Sequence, residues 1–129
     1  MRHLSFPALA LLATGLAIIA GTAVKAAPTT SNGRISVAQV IEMVDLSKAD
    51  ASARNAVIAY LAGVGEATGL LFAEGRNHGS TFNCSQTINL SEEVAVAALN
   101  AAAPDRSAWA ETPATPIIIA DMFARGGCK

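Results

Sequence analysis

The segment that most constrains this chain is its first. From Ala8 to Val24 runs a stretch of 17 residues without a charge, preceded by Arg2 and His3 and closed by Lys25. A basic start, a short apolar core and a small-residue exit at Val24-Lys25-Ala26 form the pattern of a secretory signal peptide. The alternative is a retained anchor, but 17 residues fall short of the roughly 20 that span a bilayer. The expectation is therefore a signal peptide over residues 1–26 and a mature chain of one domain. Losing Arg2 and Lys25 leaves seven basic residues against ten acidic ones. That acidic balance disfavours nucleic acid, whose phosphates need clustered positive charge. After cleavage no membrane segment is expected.

An exported chain meets an oxidising compartment, so its two cysteines, Cys84 and Cys128, are expected to form one structural disulfide. Free thiols or a metal site are the alternatives. Metal is the poorer one, because the mature chain has a single histidine, His78, and no Cys-x-x-Cys or His-x-x-His spacing. No cofactor is implied.

Residues 27–35 are small, polar and turn-rich and read as a flexible leader to a domain over 36–129. Ser36 and Gln39 make a capping box, followed by Val37, Val40, Ile41 and Val44 at helical spacing. A second helix is predicted from about Ala51 to the Phe72 region, burying Val57, Tyr60, Leu61, Val64, Thr68 and Leu71. Gly63, Gly65 and Gly69 lie inside it. Each costs about 1 kcal/mol against alanine, so close approach of another helix is expected there, the alternative being that one of them marks a helix end. Glu74 to Ser80 reads as an exposed loop carrying Arg76, Asn77 and His78. Thr81 to Cys84 reads as a short extended lead-in to the disulfide.

A third helix follows, capped by Asn89 or Ser91 and ended by Pro104. The Asp105–Thr115 connection holds Trp109. Ile117 to Arg125 is predicted as the last helix, with Thr115 as its cap, although Ile117-Ile118-Ile119 alone would also suit a strand. Gly126 and Gly127 stop it. No alternating run is present to pair with a strand, so the fold class is all-α: a small bundle of about four helices closed by one disulfide.

Catalytic patterns are missing. Glu92 and Glu93 are adjacent and diverge by about 100° on a helix, which suits a helix N-terminus better than a paired-carboxylate site. His78 has no nucleophile at a telling spacing. Gly63-x-Gly65-x-x-x-Gly69 lacks the strand and the Lys-Ser/Thr of a phosphate loop. An enzyme is not expected.

The run Tyr60-Leu61-Ala62-Gly63-Val64-Gly65-Glu66-Ala67, the entry Phe82-Asn83-Cys84, the Pro104-Asp105 turn and the terminal Cys128 occur in an order that resembles the Rap/Tai family of type VI secretion immunity proteins. The likeness covers Ala51 to Cys128. It departs where Asn83 separates Phe82 from the cysteine, where Gln86 stands in place of a proline, and in lacking a further cysteine ahead of the tyrosine. The resemblance implies a periplasmic helical protein that binds and blocks a peptidoglycan amidase toxin. Arg76, Asn77 and His78 are the candidate partner contacts, since polar tips on rigid scaffolds commonly carry recognition. A homodimer is compatible with the chain. The competing reading is an acid-stress periplasmic chaperone, which releases apolar surface as carboxylates are neutralised.

Overall fold

The computed structural model describes residues 29–79, 83–86 and 88–129. The expected signal peptide lies outside the described residues, as do Thr81 and Phe82 of the expected lead-in to the disulfide. Among the described residues the chain is all-α. Its order is α1 (Val37–Ser47), α2 (Ala51–Asn77), α3 (Glu92–Ala102), a 3-10 turn (Arg106–Ala108) and α4 (Ala114–Gly126). Within the segment read as a flexible leader, Thr30 is buried and its amide and carbonyl close a turn with Arg34 and Gly33.

Each helix begins where a side chain or a distant carbonyl satisfies its free amides. The Ser36 hydroxyl accepts from the Gln39 amide, and the Gln39 side chain accepts from the Ser36 amide, both at 3.1 Å. The next two amides are met from far along the chain. Val37 donates to the Thr112 carbonyl at 2.8 Å and Ala38 to the Trp109 carbonyl at 3.3 Å. Asp50 caps α2 by accepting from Ser52 and Ala53, while Arg54 reaches back to the Ser47 carbonyl that ends α1. Ser91 caps α3. α4 starts at Ala114, ahead of the expected Thr115 cap, because the Ala114 amide donates to the Ile35 carbonyl at 3.0 Å. Thr115 instead sits in the first turn with its hydroxyl 2.9 Å from that of Tyr60. Gly127, at φ 60°, takes the left-handed conformation that closes α4.

The core joins Val37, Val40 and Val44 of α1 to Val57, Leu61 and Val64 of α2, Ala95 and Leu99 of α3, and Ala114, Ile118 and Met122 of α4. α1 packs on α2 and α3 on α4. The helices are unequal: α2 has 27 residues against 11 in α1 and 13 in α4. At 1.5 Å per residue α2 is roughly 40 Å long, so its second half outruns its coat. Leu71, expected on the buried face, is 72% exposed.

The glycine expectation is overturned as well. A Cβ placed on Gly63, Gly65 or Gly69 would meet nothing within 4 Å. Among the described residues no helix packs close against them. The tight approaches are at Gly126, where a Cβ would fall 2.8 Å from Cγ1 of Ile88 and 2.9 Å from Sγ of Cys128, and at Gly127, where it would run into the Ser85 hydroxyl.

Candidate binding surface

The outer half of α2 carries the surface on which every candidate contact lies. Residues Glu74 to Asn77, read from sequence as loop, continue the helix; His78 ends it, its amide donating to the Glu74 carbonyl at 3.1 Å. The correction has a local cause. The His78 ring lies 2.8 Å from the Glu74 carboxylate, one helical turn back, and both side chains are exposed. That i,i+4 pair supports the last turn against the cost of Gly75.

Helical geometry then separates the three candidate residues. Successive positions turn by about 100°, so Asn77 and His78 share a side with Leu70, Leu71 and Glu74, within roughly 120° of arc. Arg76 lies on another side, in line with Gly69 and Phe72. Leu70 and Leu71 are 71% and 72% exposed. Leu71 also rims a hollow of about 340 Å³ with Ala67, Gly63, Tyr60 and Thr115. Burial holds the Tyr60 hydroxyl above its ordinary value of 10.0, more than the Thr115 hydrogen bond lowers it.

Around the helix from there, a groove of about 490 Å³ is floored by Ile58, Ala62, Gly65, Gly69 and Phe72 and walled by Ile88, Leu90, Ser91 and Glu92. Its wall is fixed from behind. Arg125 bonds Asp121 at 2.7 Å and the Asn89 carbonyl at 3.0 Å, and Phe72 packs on Phe123 with ring centres 4.8 Å apart. Cys84 is disulfide-bonded to Cys128 with Cα atoms 3.9 Å apart, closer than the usual 4.4–6.8 Å. Beside it Asn83 and Lys129 exchange two backbone hydrogen bonds of 3.0 Å. The staple thus ties the segment below the groove to the end of α4.

Several other polar groups serve helix ends. Glu93 is held below the usual carboxylate range by the Ser91 hydroxyl and by its own amide. The Trp109 indole donates to the Ala103 carbonyl at 2.7 Å, and Arg106 stacks over the ring at 5.1 Å, so that tryptophan closes the end of α3. His78 is partnered by a carboxylate rather than by a hydroxyl or thiol. Among the described residues no three His, Cys, Asp or Glu side chains come together as a metal site would require.

Sequence reasoning missed Leu70 and Leu71 as surface. One signal was present: by helical steps Leu70 falls about 150° from the centre of the stripe formed by Val57, Leu61, Val64 and Thr68. The chain matches no family model, no curated protein and no solved structure.

Proposed function

We propose that this is an exported, periplasmic binding protein of the immunity type, which binds and blocks a peptidoglycan amidase toxin through the outer end of α2. The observation that carries the reading is the pairing of two uncovered leucines, Leu70 and Leu71, with the polar tip Glu74, Asn77 and His78 on one side of a helix. An apolar anchor beside hydrogen-bonding groups is what a protein partner's surface engages. The fold behind it is capped and stapled, so recognition needs no rearrangement. The family resemblance over Ala51 to Cys128 supplies the partner class. An acid-stress chaperone keeps its apolar surface covered until carboxylates are neutralised, whereas Leu70 and Leu71 are already uncovered.

The test is calorimetric titration of the mature protein with a peptidoglycan amidase from the same organism, alongside an assay of peptidoglycan cleavage. Wild type should bind and inhibit. Leu70→Asp and the pair Asn77→Ala with His78→Ala should each weaken binding at least tenfold, about 1.4 kcal/mol, with unchanged melting temperature. An amidase that is neither bound nor inhibited would sink the proposal.

A further inference from the structure

Ile117, Ile118 and Ile119 follow one another on α4, each turned about 100° from the last. One of the three can face the core, and it is Ile118, which is fully buried. Ile119 is left half-buried beside it, where a β-branched side chain does not favour the helix. It lines a hollow of about 660 Å³ with Ile35, Pro116, Ala120 and Phe123, a size within the roughly 300–1,000 Å³ of small-molecule sites. The charged residue of that lining is Arg34. Among the described residues no carboxylate pairs with its guanidinium. Glu111, which reaches the same turn, accepts from the Ser31 amide instead, at 2.9 Å. The backbone of Arg34 is nevertheless fixed. Its amide donates to the Thr30 hydroxyl at 3.0 Å, its carbonyl accepts from the Thr30 amide at 2.9 Å, and Thr30 is buried. The turn therefore holds an unpaired cation at the rim of an apolar hollow.

We infer that this hollow binds a free long-chain fatty acid, with its carboxylate on the Arg34 guanidinium and its chain laid over Ile35, Pro116 and Ile119 toward Phe123. A guanidinium takes a carboxylate through two parallel hydrogen bonds, so one cation suits one such head. The head would lie at the start of α4, because the neighbouring Ile35 carbonyl accepts from the Ala114 amide at 3.0 Å, and a helix N-terminus favours an anion. From Thr115 to Phe123 the helix rises roughly 12 Å at 1.5 Å per residue, a length that an extended laurate chain spans. A longer chain has further room, since Thr115 and Ile119 also line the hollow over Tyr60. An anionic membrane surface fits less well, because it is held by several basic side chains together and Arg34 stands alone in this lining. Leu70, Asn77 and His78 take no part, and the inference does not depend on the proposed function.

Calorimetric titration of the mature protein with sodium laurate, from about 10 to about 500 μM and below micelle formation, tests it. Wild type should bind one laurate with a Kd in that range. Arg34→Gln should weaken binding about tenfold or more, and Arg34→Lys by less, since it keeps the charge and loses the fork. Ala120→Glu, at an exposed position of the lining, should abolish binding with unchanged melting temperature. Lys48→Gln, which removes a cation outside the hollow, should bind as wild type does. Dodecyltrimethylammonium has the same chain and a cationic head, and should bind about tenfold or more weakly. In methyl NMR spectra laurate should shift Ile35 and Ile119 and leave Ile58 unmoved. Absence of laurate binding, or full affinity in Arg34→Gln, would overturn the inference. So would equal binding of dodecyltrimethylammonium, the mark of unspecific apolar uptake, or shifts confined to Ile58. Lysophosphatidic acid bound more tightly than laurate, or co-sedimentation with phosphatidylglycerol vesicles, would assign Arg34 to a phosphate head or a membrane surface and overturn it too. Arg34→Gln should still bind the amidase and Leu70→Asp should still bind laurate, so the two claims fail separately.

Discussion

Tyr60 joins α2 to α4 through a hydroxyl that touches Thr115 at 2.9 Å. Its burial favours the neutral phenol, so the folded pKa lies above the ordinary 10.0. A group raised in this way stabilises the fold fully below its unfolded pKa, and that contribution is lost as pH rises through the folded value. Thermal melts from about pH 7 to about pH 11, across the tyrosine range, should show a steeper alkaline loss in wild type than in Tyr60→Phe. Near neutrality the same substitution should cost about 1 kcal/mol, the net worth of one hydrogen bond. An equally steep profile in the phenylalanine variant would assign the alkaline loss to another group. Gly127 makes the opposite demand on its residue. At φ 60° any side chain is strained, and Gly127→Ala should lower unfolding stability by about 1–2 kcal/mol. Urea denaturation reads that loss directly.

Along the elements, what could be read from sequence is what neighbours in sequence determine. The Ser36–Gln39 capping box, the Ser91 cap and the stop at Pro104 involve residues a few positions apart, and the helices they bound lie where the pattern puts them. The start of α4 was not legible, because the carbonyl that accepts from Ala114 belongs to Ile35, far away along the chain. The end of α2 was misread for a related reason. Gly75, Asn77 and Gly79 signal a loop, but the Glu74–His78 pair carries the helix through. Of the proposed surface, Asn77 and His78 can be named from the sequence, while the exposure of Leu70 and Leu71 follows from the unequal lengths of the helices, a property of the assembled bundle. The glycines give α2 a measurable signature. Gly63 is open and helical, so Gly63→Ala should raise stability, by up to about 1 kcal/mol. Had Gly63 been buried against a helix, the substitution would instead destabilise, and chemical denaturation distinguishes the two signs.

For the molecule as a whole, the Cys84–Cys128 bond spans 44 positions. Closing a loop of that size restricts the unfolded chain by about 4 kcal/mol on the entropic model, a large share of the net stability of a small domain. Urea midpoints with and without reductant should differ accordingly; a reduced protein as stable as the oxidised one would mean the core alone suffices. The contacts that close the first turn of α1 have a kinetic consequence. Val37 and Ala38 donate to Thr112 and Trp109, so these two amides are shielded only while the segment before α4 is docked. The interior amides of α1 bond within their own helix and are independent of that docking. In deuterium exchange the amides of Val37 and Ala38 therefore report on how often the second half of the chain lifts from the first, an opening that no probe within a single helix would register.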